Sequence, residues 1–248
     1  MNAGRDAETA TEVIGGSRVR LFTYESQTQW TWGSAVAISS VLARDLQQKP
    51  RTRLLLSGGS TPAPVYEALS KAPLDWDRID VALVDERWLL PDDPDSNARL
   101  VRETLLQNKA AKARFETLTR AGRNIEESVN AANLHAQNPP GVVVLGMGED
   151  GHTASLFPGM QGLDKALESK SAYVSVDATG CPVAGKLLRR ISLTPAGLAP
   201  AHTRLLLIRG ERKRKLLDRV LEGNDPREYP VRVAFTTSGP PLHIHWCP

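Results

Sequence analysis

Short apolar runs alternate with longer segments of helical periodicity along almost the whole chain. Residues 54–56 and 142–145 are uninterrupted leucine or valine, as expected of strands buried on both faces of a sheet. Between such runs, residues 27–48 and 211–221 carry apolar side chains at helical spacing. Strands that alternate with helices need crossover connections and therefore a largely parallel sheet. We predict an α/β fold in which a mostly parallel sheet is flanked by helices on both faces, a Rossmann-like three-layer sandwich.

The boundaries of these elements follow from periodicity and from the turn residues between them. We predict strands over residues 18–24, 54–56, 79–84, 142–145, 173–176, 191–193, 203–208 and 242–246, and helices over residues 27–48, 62–69, 96–106, 125–137 and 211–221. Asn124 is predicted to cap the helix that begins at residue 125. No linker divides the chain, so all 248 residues are expected to form one domain, with residues 1–12 as a flexible tail.

Composition limits the kinds of partner that the chain can have. A formal net charge of +3 does not provide the concentrated basic surface of a nucleic-acid-binding protein. The first residues contain no secretory apolar segment, and no apolar run is long enough to span a bilayer. Cys181 and Cys247 lack metal-ligand spacing and are expected to be free thiols. These features predict a cytoplasmic protein without a nucleic-acid or membrane partner.

Residues 146–159 form the segment with the most chemically active side chains. They follow the predicted strand 142–145, and loops at the carboxyl ends of parallel strands are where α/β proteins bind ligands. The segment brings His152 together with Glu149 and Asp150, groups that transfer protons near neutral pH. A tight turn with a surface histidine is the alternative interpretation of this segment alone.

A second loop follows the predicted strand 54–56. It consists of Ser57, Gly58, Gly59, Ser60 and Thr61. Paired glycines let backbone N–H groups approach a ligand closely, and Pro62 suits the first position of a helix capped by Thr61. Because helix N-termini attract anions, phosphate is the expected ligand. A plain strand-to-helix turn is the alternative, since the loop matches neither a P-loop nor a dinucleotide fingerprint.

Charged residues follow or flank two further predicted strands. Asp85, Glu86 and Arg87 come directly after strand 79–84, where Arg87 suits phosphate and Asp85 suits a sugar hydroxyl or proton transfer. A surface ion-pair turn is the alternative. Arg190 precedes strand 191–193, and the basic run 209–215 is typical of a solvated helix face from which one or two side chains turn inward.

Taken together, these segments resemble the 6-phosphogluconolactonase family, which belongs to a superfamily shared with glucosamine-6-phosphate deaminases. The resemblance extends from the first predicted strand to at least residue 221 and is carried by residues 57–62, 85–87, 95–97 and, most specifically, 146–159. It implies hydrolysis of a small phosphorylated sugar lactone, 6-phosphoglucono-δ-lactone, to 6-phosphogluconate. It also implies that no metal or organic cofactor is needed and that the protein is a monomer or a small homo-oligomer.

The resemblance implies roles for individual residues. His152 would activate water, with Asp85 and Asp150 as the associated catalytic carboxylates. The 6-phosphate would be held by residues 57–61 together with Arg87, Lys213 and, as a second phosphate-side arginine, Arg190.

Two alternative functions remain at this point. Deaminases of the superfamily continue the Asp-Gly-His loop through Asn-Glu-Pro, and that Glu partners the His in ring opening. This chain has Leu156, Phe157 and Pro158 there, which favours the lactonase. A non-catalytic sugar-phosphate-binding module is the second alternative. Asp93 and Ala98 depart from the lactonase pattern without a predicted role.

His243 and His245 raise the question of a metal site near the C-terminus. They alternate along the predicted strand 242–246 and so share one face, where they have no further ligand. No metal site is predicted.

Overall fold

The computed structural model describes residues 19–248, and the predicted tail and Arg18 lie outside the described residues. Its strands are β1 Val19–Thr23, β2 Thr52–Leu56, β3 Ile79–Leu83, β4 Asp85–Arg87, β5 Arg114–Glu116, β6 Val142–Leu145, β7 Tyr173–Asp177, β8 Arg189–Leu193, β9 Thr203–Arg209 and β10 Leu242–Cys247. Its helices are α1 Gln27–Gln48, α2 Ala63–Leu69, α3 Asn97–Thr104, α4 Ile125–His135, α5 Leu163–Leu167, α6 Pro195–Leu198, α7 Glu211–Leu221 and α8 Val233–Thr236. Every predicted element is present with ends within two residues of those expected, whereas β4, β5, α5, α6 and α8 were not predicted.

A seven-stranded sheet forms the centre of the fold. Its strand order is β1-β10-β9-β6-β2-β3-β5, and every neighbouring pair is parallel. The three-layer α/β fold is therefore confirmed. Because the strands are parallel, their carboxyl ends and the loops that follow them lie at one edge of the sheet.

A second, smaller sheet stands at that edge and differs from the prediction. The strands expected over residues 173–176 and 191–193 do not join the parallel sheet but pair antiparallel as β7 and β8, with β4 on the other side of β8. Residues 85–87 are thus a strand and not the predicted loop. The N–H of Leu193 donates to the carbonyl of Val84 at 2.7 Å, which joins the small sheet to the end of β3.

Two apolar clusters support this arrangement. The larger one buries both faces of the parallel sheet, and the uniformly buried strands β2, β3 and β6 explain why their sequences read as continuous apolar runs. The smaller one is formed in part by the segment after β6, which contributes Leu156, Phe157 and Met160. Among residues 19–248, no helix combines the length and the apolar character that crossing a bilayer requires.

Candidate active site

The loops after β2, β6 and β9, together with β4 and β8, surround a cavity of about 270 Å³ at the carboxyl edge of the sheet. Every site residue predicted from the sequence lines this cavity except Asp150, which instead contacts His152. The lining residues include Ser57, Gly58, Gly59, Ser60, Thr61, Asp85, Arg87, His152, Arg190 and Lys213. The structure thus brings together residues that are far apart in the chain.

Gly58 and Gly59, in the loop after β2, are each required for a different steric reason. A Cβ at Gly58 would overlap the side-chain amide of Asn97, and Gly59 has a φ of +93°, which disfavours any other residue. Helix α2 begins at Ala63 and has no side-chain cap, so the predicted capping role of Thr61 is wrong. The reason is an additional turn at residues 60–62, after which the carbonyl of Pro62 accepts the first helical hydrogen bond, from Tyr66. The hydroxyl-bearing residue Thr61 lines the cavity instead.

Asp85 is buried and held on both carboxylate oxygens. Its Oδ2 accepts a hydrogen bond of 2.6 Å from the hydroxyl of Ser155, and its Oδ1 accepts one of 3.3 Å from the Nδ2 of Asn97. The same amide donates to the Asp85 carbonyl at 2.9 Å. Asp85 is therefore fixed at the cavity wall by donors from α3 and from the segment after β6, which excludes the predicted alternative of a surface ion-pair turn.

Glu86 is a functional neighbour that sequence reasoning did not single out. It is fully buried, and its carboxylate accepts hydrogen bonds from the backbone N–H groups of Arg87, Asn97 and Ala98 at 2.8–2.9 Å. Burial raises its pKa to about 7, although those N–H donors act in the opposite direction. Glu86 and the N-cap Ser96 together satisfy the first turn of α3, which places Asn97 at the cavity. In the sequence Glu86 stands only as part of an acidic pair after the predicted strand 79–84, which gives no signal of its contact with α3.

His152 and Asp150 form a hydrogen-bonded pair at the cavity. Nδ1 of His152 lies 2.6 Å from Oδ1 of Asp150, and the backbone N–H of His152 donates to the same oxygen at 3.1 Å. Burial alone would raise the pKa of Asp150, but the hydrogen bond and charge of His152 outweigh it and hold that pKa below its ordinary value. A Cβ at Gly148 would overlap the His152 ring and Asp150, so only glycine fits there. An ionised Asp150 makes Nδ1 a donor and leaves Nε2 with its lone pair.

Phe157 fixes the second side of the histidine. Its ring is 99% buried and lies with its centroid 4.4 Å from that of His152. The guanidinium of Arg190 lies 5.2 Å from the centroid of the same ring. One buried aromatic ring of the smaller apolar cluster thus contacts both the histidine and an arginine.

Four cationic side chains line the cavity. Arg87 and Arg190 are register partners on β4 and β8, and Arg209 and Lys213 lie at the junction of β9 and α7. Arg190 lies inside β8 and not before the strand as predicted, because β8 begins two residues earlier than expected. Burial lowers the pKa of Lys213 and of Arg190. Of the basic run 209–215, from which one or two side chains were predicted to turn inward, Arg209 and Lys213 line the cavity. Together the cations suit an anionic ligand.

Residues 19–248 contain no group of three or more His, Cys, Asp or Glu side chains that could hold an ion. His245 instead contacts the hydroxyls of Tyr24 and Ser34, each at 3.0 Å.

Comparison with known proteins identifies the family of the chain. Residues 26–244 match the family described as glucosamine-6-phosphate isomerases/6-phosphogluconolactonase. The chain is 48% identical to a 6-phosphogluconolactonase of Xylella fastidiosa over 93% of this chain and 97% of the relative. It is 41% identical to a 6-phosphogluconolactonase of Pseudomonas aeruginosa over 93% and 95%, respectively. The crystal structure of a 6-phosphogluconolactonase from Shewanella baltica superposes with a TM-score of 0.87 at 32% identity, covering 95% of this chain and 100% of that one. Over nearly its whole length, therefore, the chain belongs to the family of glucosamine-6-phosphate isomerases and 6-phosphogluconolactonases.

Proposed function

We propose that the protein is an enzyme that hydrolyses 6-phosphoglucono-δ-lactone to 6-phosphogluconate, the second step of the oxidative pentose phosphate pathway. The observation that carries the proposal is the His152–Asp150 pair, which lies at a cavity lined by four cationic side chains. The relatives that bear the lactonase name at 48% and 41% identity support the same reaction.

His152 acts as the general base in this mechanism. Because Asp150 accepts the Nδ1 hydrogen, Nε2 takes a proton from water while the water oxygen attacks the lactone carbonyl carbon. The protonated imidazole is stabilised by the adjacent carboxylate. It then returns its proton to the ring oxygen as the bond from that oxygen to the carbonyl carbon breaks. Water and the lactone supply all the atoms of the product, so the protein needs to provide only proton transfer, orientation and electrostatics.

Charge stabilisation comes from the glycine-rich loops and the cations. The N–H groups of Gly58 and Gly59 make no hydrogen bond within residues 19–248 and are available to a negatively charged oxygen. The hydroxyls of Ser60 and Thr61, with Arg87 and Lys213, hold the 6-phosphate in this proposal. Phosphate binding remote from the reacting carbon orients the lactone and contributes to turnover as well as to affinity. Arg190, stacked on Phe157, is assigned to the same anionic end of the ligand.

Asp85 serves as a positioning residue in the proposal. Its two carboxylate oxygens are engaged by Ser155 and Asn97, so it connects the segment that bears His152 to α3. In this place it orients a sugar hydroxyl of the ligand.

Phe157 argues against a deaminase. An isomerising deaminase needs the carboxylate that partners its histidine, and here the corresponding position holds a buried aromatic ring against His152. A sensor without catalysis is disfavoured because the base and its orienting carboxylate are both in place. In this proposal the protein acts as a monomer or a small homo-oligomer. Cys181 and Cys247 are both buried and unpaired, which supports a reducing compartment such as the cytoplasm.

A coupled assay tests the proposed function. Loss of 6-phosphoglucono-δ-lactone is followed with and without the protein, after subtraction of spontaneous ring opening. Ammonia release from glucosamine 6-phosphate is measured in parallel. We expect accelerated lactone loss and no ammonia. Ammonia release would establish the deaminase, and binding of 6-phosphogluconate without lactone turnover would establish the sensor.

A further inference from the structure

Arg209 is a cavity-lining cation to which the mechanism above gives no role. It is the last residue of β9 and lines the same cavity as His152 and Lys213. Gly210 follows it with a φ of +84° and is the N-cap of α7, so the chain turns between Arg209 and Lys213 while both remain at the cavity. Arg209 and Lys213 therefore lie on the same wall of the cavity.

The hydrogen-bond donors of Arg209 are unoccupied, unlike those of its cationic neighbours. Arg87 donates to the Asp95 carbonyl at 2.5 Å, and Lys213 donates to the Met147 carbonyl at 2.7 Å with Glu149 3.7 Å away. The Nε and Nη2 groups of Arg190 donate to two backbone carbonyls. For Arg209, no acceptor lies within hydrogen-bond distance and no carboxylate within ion-pair distance anywhere in residues 19–248. Its planar set of five N–H donors is therefore available to a ligand.

Trp30 provides a rigid platform for this guanidinium. The Arg209 guanidinium carbon lies 5.9 Å from the centroid of the Trp30 ring, within the range of a cation–π contact. Trp30 is fully buried, and its Nε1 donates to the carbonyl of His245 at 3.0 Å. A cation held by an immobile ring loses little freedom when it binds an anion, which favours affinity. The guanidinium is thus held in position while its donors remain open.

We propose that Arg209 is a substrate-binding residue that, with Lys213, holds the 6-phosphate of the ligand. The proposal rests on the proposed function, because it takes a phosphorylated sugar as the ligand. Lys213 supplies a charge that Glu149 partly compensates, whereas Arg209 supplies an uncompensated charge and a bidentate donor pair. Arg209 thereby determines how strongly the site prefers a phosphorylated ligand.

The test compares Arg209→Gln, Arg209→Lys and wild type. KM and kcat are measured with 6-phosphoglucono-δ-lactone, and the Kd of the product 6-phosphogluconate is measured by calorimetry. Arg212→Gln is the matched control, because Arg212 follows closely in the chain on α7, carries the same charge and is 91% exposed outside the cavity. Thermal unfolding of each variant reports on folding.

We expect Arg209→Gln to raise KM and the 6-phosphogluconate Kd about 10- to 100-fold with a much smaller effect on kcat, as for loss of charge-assisted hydrogen bonds. Arg209→Lys keeps the charge but loses the planar donor pair, so we expect its KM and Kd to lie between those of wild type and Arg209→Gln. The KM and Kd of Arg212→Gln should match those of wild type. A KM and Kd within twofold of wild type for Arg209→Gln would overturn the proposal, as would a fall in kcat alone. If Arg209→Gln does not fold, the Kd of Arg209→Lys for 6-phosphogluconate tests the proposal instead. A Kd equal to that of wild type would then overturn it. Should wild type fail to hydrolyse the lactone, the proposed function fails while the Kd comparison still decides the role of Arg209.

Discussion

The hydroxyl of Ser155 donates a hydrogen bond of 2.6 Å to Oδ2 of Asp85 and so ties the segment after β6 to the start of β4. Ser155 is itself held, because its backbone N–H donates to the hydroxyl of Ser192 at 3.1 Å. The residue before it, Ala154, has a φ of +49°, an uncommon conformation that is retained when surrounding contacts determine it. These contacts fix the backbone between His152, which lines the cavity, and Phe157, whose ring packs against that of His152.

Replacement of Ser155 by Ala removes that connection. We expect the free energy of unfolding to fall by about 1–3 kcal/mol, because a buried carboxylate oxygen loses its donor. We also expect kcat to fall, since the backbone that carries His152 is released. Urea unfolding and lactonase kinetics measure the two effects. Ser175→Ala, at an exposed position of β7, is the control and should change neither quantity. Unchanged stability and unchanged kcat in Ser155→Ala would refute a positioning role for this bond.

Gly148→Ala tests the packing around the His152–Asp150 pair. The added Cβ overlaps the ring of His152 and the carboxylate of Asp150, so the imidazole must rotate away from its partner. We expect turnover to fall by about 10²-fold or more, as when a general base is lost or misplaced. Gly122→Ala is the control, because Gly122 has open space around it and lies outside the cavity. Its φ of +80° adds a backbone strain that Gly148 does not have, so the control tests whether strain without overlap affects turnover. Turnover of Gly148→Ala equal to that of the control would show that the pair tolerates displacement.

His245 predicts a dependence of stability on pH. Its ring is buried beside Phe22, Tyr24, Ser34 and His243, and desolvation, with a smaller effect of His243, lowers its pKa to about 3. In the unfolded chain a histidine titrates near 6.5. Between these values the unfolded state binds a proton that the folded state does not, so stability falls as the pH decreases below 6.5.

The comparison of wild type with His245→Gln isolates this effect. We expect the difference in unfolding free energy between the two proteins to shrink by about 2 kcal/mol between pH 7.5 and pH 5, at about 1.4 kcal/mol per pH unit. Urea unfolding at several pH values measures it. A difference that does not change with pH would show that His245 binds its proton equally well in the folded and unfolded states, so that folding does not lower its pKa.

The fold and the members of the site could be predicted from the sequence because their signals are local. Uninterrupted apolar runs such as residues 142–145 mark strands buried on both faces, and the carboxyl ends of parallel strands meet at one edge. Gly58, Asp85 and His152 each come shortly after such a run, so their convergence at one cavity follows from topology alone.

The contacts between these residues could not be predicted, because they depend on pairing between distant segments. Asp85 becomes part of a strand only because β8 pairs with it, and Glu86 becomes a helix cap only because α3 begins against it. Arg209 sits in a basic run that is typical of a solvated surface, and nothing in that run marks Trp30 as the ring beneath it.

The central claim is that His152 activates the water that opens the lactone. The most direct measurement is the time course of 6-phosphoglucono-δ-lactone loss with wild type and His152→Ala side by side, corrected for spontaneous hydrolysis and with folding checked by thermal unfolding. Loss of a general acid–base group lowers turnover by about 10²–10⁴-fold, and we predict a reduction in that range with an unfolding midpoint close to that of wild type. Turnover by folded His152→Ala within a few-fold of wild type would contradict the account.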